Sequence, residues 1–298
     1  MSIKNLLVSA CLMLVAMGAQ AGDDLLKPFV LASKGPGTVA EKSAEAKSAL
    51  VKNGFTVVGE YSPYANAEII IVTNNELKKN AAASDNGGYG AIQRVAITEV
   101  SKEIQISYTN PVYMANMYRM KGDLSNVAAE LSKALGKEED FGSARGMTAR
   151  KARNYHYMIG MEYFNEPSLL ATYGSYAEAV QSVDSKLSAG KGGVSKVYRV
   201  DIPGKEETVF GVSMKGTGAN KFMDDQYVMN EIDFQPIKST AYLPYEVLVS
   251  GNKVYALYAR FRIAMDFPDL HMMGKNSFMN IMKTPEAIRL ALQNAVQK

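Results

Sequence analysis

The chain has almost none of the side chains that most often carry nucleophilic or metal chemistry. Among 298 residues it has one cysteine, two histidines and no tryptophan. Cys11 lies in an N-terminal apolar run that we expect to be removed, which leaves no thiol for a disulfide, a thiolate nucleophile or a metal site. A Ser-His-Asp site would have to use His156 or His271, and neither lies near a nucleophile-elbow pattern. The sequence therefore favours a protein that is not an enzyme.

The chain also lacks a large excess of either charge. Its 33 basic and 30 acidic residues give a formal net charge of +3. Nucleic-acid binding needs a concentrated basic field, so we expect no nucleic-acid partner. Apolar runs approaching the roughly 20 residues that span a bilayer are absent as well, which predicts no transmembrane segment.

The N-terminus has the pattern of a secretory signal peptide. Lys4 supplies the positive start, and a largely apolar run extends from Leu6 to Met17. Ala19 and Ala21 match the small-residue pattern at which signal peptidase cleaves. Residues 1–21 are therefore predicted to be a signal peptide cleaved after Ala21, and the mature protein is expected in the periplasm or outside the cell.

Two stretches of the chain carry the same order of predicted elements. Each starts with a strand and a helix that opens on a capping box, Thr38 with Glu41 in the first and Ser175 with Glu178 in the second. The predicted elements are 29–32, 38–53, 55–58, 68–72, 94–97, 103–108 and 124–135, followed by 157–161, 175–190, 197–200, 208–212, 245–249, 254–258 and 285–296. Thr284 is predicted to cap the last helix.

This repetition predicts an α+β protein made of two tandem modules. Each module has the order strand-helix-strand-strand-helix-strand-strand, and ends in a further helix. Hairpins mixed with helices predict a mixed sheet with helices mainly on one face. The first module covers 28–140 and the second 155–298, with a basic linker at 141–154.

The second module contains two segments that carry a family resemblance. Tyr155–Phe164 and Leu243–Val249, together with the order of elements, resemble the domain-of-unknown-function family numbered 302. The resemblance implies a small α+β domain in both copies and supplies no catalytic residues. In the first copy, Ala91-Ile92-Gln93 stands where the second has Leu243-Pro244-Tyr245, so that signature is missing there.

The linker at 141–154 is rich in arginine. Its pattern is typical of a solvated connection between modules. The alternative is the edge of an anion-binding cleft formed by Arg145, Arg150 and Arg153, because guanidinium groups suit carboxylate and phosphate.

Methionine is the most unusual component, with 17 residues. Met114, Met117 and Met120 follow the hairpin of the first module at a spacing of three. Aligning the modules places Met114 on Met265 and Met120 on His271. The second module continues with Met272, Met273, Met279 and Met282.

Three interpretations of these methionines remain open. They fill gaps in the core, or they form an adaptable partner-binding surface, or they hold a soft metal. Copper would use His271, Met272 and Met273, and a non-covalent haem would use histidine and methionine. Covalent haem is excluded because the Cys-x-x-Cys-His motif is absent.

The leading functional hypothesis is an exported two-module protein that binds a small ligand or an envelope protein between its modules. The candidate ligand-binding residues are Met114, Met117, Met120, His271 and Met272. One alternative is an envelope enzyme with an unrecognised site, which predicts convergent buried polar groups with perturbed pKa values. Another is an assembly protein that pairs through exposed sheet edges.

Overall fold

A computed structural model describes residues 25–297, which form an α+β fold with two antiparallel sheets. The predicted signal peptide lies outside the described residues. The α+β class is therefore confirmed. The expectation of mixed sheets was wrong, because every pairing between the described strands is antiparallel.

The first sheet has the strand order β2-β3-β4-β5-β1-β6. Its strands are β1 Phe29–Gly35, β2 Thr56–Tyr61, β3 Ala67–Thr73, β4 Gln93–Val100, β5 Glu103–Thr109 and β6 Glu139–Phe141. The helices of this half are α1 Val39–Lys52, α2 Asn75–Ala83, α3 Pro111–Met117 and α4 Ser125–Leu135. Helix α1 begins at the predicted N-cap Thr38, because the Glu41 amide donates a hydrogen bond to Thr38 Oγ1.

The second sheet has the strand order β7-β11-β10-β9-β8. Its strands are β7 Ser168–Thr172, β8 Val194–Asp201, β9 Glu207–Met214, β10 Tyr245–Ser250 and β11 Lys253–Ala256. The accompanying helices are α5 Ala149–Arg153, α6 Tyr176–Ala189, α7 Asp225–Ile232, α8 Ala259–Asp266 and α9 Thr284–Val296. The Glu178 amide bonds Ser175 Oγ at the start of α6, and Gly190 ends that helix with a φ of +64°.

The two sheets pack face to face, with helices on their outer faces. Helix α1 contacts β3 and β4, and α6 contacts β8 and β10. On the inner side, Thr98 of β4 bonds Thr240 of the second half at 2.9 Å. The central strands are consequently buried on both faces, and one hydrophobic core extends through both halves.

The edge strands β2 and β8 meet where the halves join. A Cβ at Gly59 would lie only 2.6 Å from the carbonyl oxygen of Val197, so only glycine allows this approach. Register shifts mark both strands, at Val58 in the β2–β3 pair and at Val197 in the β8–β9 pair. The β1–β5 and β7–β11 pairs are also both irregular.

Two local predictions in the second half were wrong. The strand expected at 157–161 is a turn, in which the Met161 amide bonds the Met158 carbonyl and Gly160 has a φ of +82°. The strand of this region is β7, beyond Pro167. Thr284 lies inside α9, and the capping position belongs to Lys283, which makes no side-chain cap.

The segment 141–154 differs from the solvated connection expected of it. Phe141 ends β6, which pairs with β1, and Met147 exchanges two backbone hydrogen bonds with Leu26. Ala152 of α5 is fully buried. The segment is therefore packed against the first half.

Candidate functional site

The first methionine group belongs to the hydrophobic core. Met114 and Met117 lie on α3 and Met120 follows it, and each is at most 3% exposed. Met120 fills the space beside Gly90, where a Cβ would lie 2.6 Å from its sulfur. Their environment is therefore that of core packing side chains.

The second group lies on the surface. His271, Met272 and Met273 are exposed, in a loop after α8. The structure does not place them in the buried environment of Met114, Met117 and Met120. Among the described residues, no group of three or more histidine, cysteine, aspartate or glutamate side chains could hold a metal ion. A soft-metal role for His271 with these thioethers stays a prediction.

The three linker arginines have different surroundings. Arg145 and Arg150 are exposed. Arg153 is partly buried and its Nη2 donates to the Arg119 carbonyl, while Arg119 Nε donates to the Arg153 carbonyl, each at 3.1 Å. The guanidinium of Arg153 thus already donates a hydrogen bond within the protein. Anion binding by the three arginines stays a prediction.

A groove forms where the edge of the first sheet meets loops of the second half. It has a volume of about 510 Å³, within the range typical of small-molecule sites. We call it the junction groove, and its lining consists of Lys27, Lys34, 139–144, 232–237, Ser239, Phe267, Asp269 and Leu270. Sequence reasoning placed a cleft between the halves but did not assign the residues of this lining to it.

The loop after α7 forms one wall of the junction groove, and Gln105 of β5 holds it in place. Gln105 Nε2 donates to the Pro236 carbonyl, and its Oε1 accepts from the Lys238 amide, both at 2.9 Å. The Gln105 amide thus donates one hydrogen bond to the loop backbone and accepts one from it, as a residue of a neighbouring β-strand does, and these two bonds hold the loop against β5. Phe234 and Ile237 of this loop consequently line the junction groove from a fixed position.

Aromatic rings underlie the groove. The Phe267 ring lies 5.2 Å from that of Tyr242 and 6.4 Å from that of Phe29, and Phe29 lies 5.5 Å from Phe141. Asp269 closes one end, because its Oδ2 accepts from the Ala144 amide at 2.5 Å. Both halves therefore contribute to an apolar floor held by packed rings.

The charges at the groove nearly balance. Lys27 and Lys34 have no ion-pair partner among residues 25–297, and they line the groove together with Glu139 and Asp269. Asp140 is neutralised by Lys137 at 2.9 Å. The rim therefore favours neither sign of charge strongly.

Asp233 is the titratable group buried in the groove wall. Burial raises the pKa of its carboxyl to about 7, although the Ser239 amide and Lys238 oppose that rise. The Ser239 amide donates to Asp233 Oδ1 at 2.9 Å. The groove consequently gains a negative charge as pH rises through neutrality.

An assembly of buried charged side chains lies between the two sheets, and sequence reasoning did not predict it. Glu246 of β10 forms ion pairs with Arg94 of β4 and with Arg262 of α8, the latter at 2.9 Å. Arg262 also stacks on the rings of Tyr242 and Tyr245, at 4.8 and 4.6 Å. The sequence signal was a charged residue within each apolar strand, Arg94 and Glu246.

This assembly matches part of what an enzyme site requires. Burial raises the pKa of Asp266, next to Arg262, to about 6. However, Arg94, Glu246, Arg262 and Asp266 are each no more than 2% exposed, so a substrate has no access to them. We interpret the assembly as the polar connection between the sheets.

Comparisons of the chain with protein-family models, with curated proteins and with solved structures found no match. Within residues 25–297, none of the helices has the length and apolar character needed to cross a membrane.

Proposed function

We propose that the protein is a binding protein whose small-molecule ligand occupies the junction groove. The observation that carries this proposal is a 510 Å³ groove with apolar walls contributed by both halves. Concave apolar sites of this size, at the meeting of two structural units, are where small ligands usually bind.

The proposed ligand is neutral and largely apolar. Phe234, Ile237 and Phe267 offer apolar contact area, while the balanced rim charges give no strong attraction to an ion. Below pH 7 the Asp233 carboxyl is protonated, so it can donate a hydrogen bond and no longer requires hydration. Asp233 thus makes affinity for a neutral ligand depend on pH.

We further propose that the two halves are tandem copies of one module, exported by means of residues 1–21. Counted within each half, the first five strands have the same order, 2-3-4-5-1, and β6 is an additional edge strand in the first half. The register shifts also fall in corresponding strand pairs. These features support duplication, and the resemblance to family 302 remains part of the same proposal.

A titration with the neutral fluorophore N-phenyl-1-naphthylamine tests the binding function. We expect saturable binding that is tighter at pH 6 than at pH 8. Phe234→Ser should weaken it about tenfold or more, because the probe loses an apolar contact. Asp233→Asn should remove most of the pH dependence.

Leu290→Ser on α9 is the matched control, because Leu290 is 43% exposed and Phe234 39% exposed. This variant should bind like the original protein. Equal affinities of the Phe234 and Leu290 variants, or no saturable binding at either pH, would rule out the junction groove as a site for such ligands.

A further inference from the structure

Exposed large apolar side chains are concentrated on one surface of the second half. Ile159 is 98% exposed and Met273 77% exposed, which is unusual for such side chains. We call this surface the methionine patch, and it consists of Tyr157, Met158, Ile159, Met272, Met273, Met279 and Met282. A contiguous patch of this kind, unlike single exposed apolar residues, marks an interaction surface.

The two stretches of the patch are in contact. The Tyr157 hydroxyl lies 3.2 Å from Met272 Sδ. The Met279 amide donates to the Met272 carbonyl at 3.1 Å, and the Met282 amide donates to the Met279 carbonyl at 3.4 Å. The chain between 272 and 282 is thus folded beside the turn at 157–159, and the patch is one surface.

The charges around the patch are mainly positive. Residues 271–283 contain Lys275 and Lys283, both exposed, and no acidic residue. The Lys283 ammonium lies 5.4 Å from the centre of the Phe222 ring, beside Lys221 at 5.3 Å.

The nearby carboxylates already have partners. Glu162 is paired with Arg260. Glu231 accepts a hydrogen bond from the Asn280 side chain at 3.2 Å. Asn280 is neutral, so Glu231 keeps its negative charge, but among residues 25–297 neither Lys275 nor Lys283 forms an ion pair with it or with Glu162.

We propose that the methionine patch docks the protein on the surface of an anionic lipid bilayer. Ile159 and the exposed thioethers would enter the boundary between headgroups and acyl chains, where burial of apolar area stabilises binding. Lys275 and Lys283 would lie at the level of the anionic headgroups. The combination of apolar tip and cationic rim favours a lipid surface, and the inference does not depend on the junction groove holding a ligand.

A site-specific fluorescent label tests this inference directly. Since Cys11 is the single cysteine, the full chain carrying Cys11→Ser accepts one new thiol, introduced by Ile159→Cys and labelled with an environment-sensitive dye. The matched control is Val51→Cys on α1, because Val51 is 59% exposed on the other half. Both proteins keep the same N-terminus and are mixed with vesicles of phosphatidylglycerol and phosphatidylcholine, or of phosphatidylcholine alone.

We expect a blue shift of the label at position 159 with the anionic vesicles and none of the label at position 51. Lys275→Gln and Lys283→Gln should each weaken partitioning about fivefold. An unshifted label at 159 would overturn the inference, whether the protein stays free, contacts the vesicles elsewhere, or uses the patch for a protein partner. Equal shifts at both positions, or equal partitioning of the lysine variants, would also overturn it.

Discussion

Arg94 and Glu246 form an ion pair across the two sheets, although each side chain is almost completely buried. Arg262 approaches the other oxygen of the same carboxylate. One carboxylate thus compensates two guanidinium groups, one from each half of the chain. Buried ions are tolerated only with such partners, so this pair makes the position of one sheet depend on the other.

Glu246→Gln should strongly destabilise the protein. The substitution removes the carboxylate that forms ion pairs with both Arg94 and Arg262, and breaking a buried pair in this way costs about 3–5 kcal/mol. Urea unfolding measures the change in free energy. Glu286→Gln removes the partner of Arg289 at the surface and should cost no more than about 1 kcal/mol. Similar losses in the two variants would contradict a special role for Glu246.

The free energy of unfolding should depend on the ionisation of Asp225. Burial raises the pKa of this carboxyl to about 7 in the folded protein, above the roughly 3.9 of an unfolded aspartate. Between these values the folded state binds more protons than the unfolded state. The contribution of Asp225 to stability is therefore complete below about pH 4 and is lost as pH rises through 7.

Asp225→Asn should remove this part of the pH dependence. Relative to the original protein, the variant should gain roughly 1–3 kcal/mol between pH 5 and pH 8. Asparagine can still accept the hydrogen bond that the Met214 amide donates to the Asp225 carboxyl at 2.9 Å. Urea unfolding of both proteins at the two pH values measures the difference, and parallel pH profiles would contradict the raised pKa.

Gly59→Ala tests the contact between β2 and β8. The added methyl would meet the backbone of Val197, which cannot move as a side-chain end can. We expect a loss of about 1–3 kcal/mol in thermal or urea unfolding. Gly35→Ala on β1 is the control, because nothing lies within 4 Å of its Cβ position. If both variants have the stability of the original protein, the two strands do not approach each other as described.

Substitutions of the buried methionines should affect packing and not metal content. Met117→Leu keeps the apolar volume and should cost less than about 1.5 kcal/mol. Met117→Ala leaves a cavity and should cost about 2–5 kcal/mol, whereas Met273→Ala on the surface should cost almost nothing. Unfolding measurements, with elemental analysis of the purified proteins, check this. A bound metal that is lost in Met117→Leu would contradict the packing role.

Local sequence patterns were enough to predict most elements. The capping boxes at Thr38 and Ser175 and the terminating glycines, such as Gly190, act within a few residues, so their outcome does not depend on the rest of the chain. The strand prediction for 157–161 was wrong because tyrosine, methionine and isoleucine in a short run give the composition that is typical of a β-strand. The positive φ of Gly160 instead allows a turn that exposes them.

The junction groove and the ion pairs between the sheets could not be predicted in this way. Arg94 and Glu246 are far apart in sequence, and their pairing depends on how the two sheets face each other. The wall formed by Phe234 and Ile237 depends likewise on the docking of Pro236 and Lys238 onto Gln105. In a single sequence, no periodic pattern indicates that these distant residues contact each other.

Photo-crosslinking with a neutral, apolar diazirine probe, mapped by mass spectrometry, tests the proposed binding site most directly. Labels should fall on 232–239, on 267–270 and near Phe141, and excess N-phenyl-1-naphthylamine should suppress them. Labels confined to other surfaces, such as the methionine patch, or labels that the competitor leaves unchanged, would show that the junction groove is not where the ligand binds.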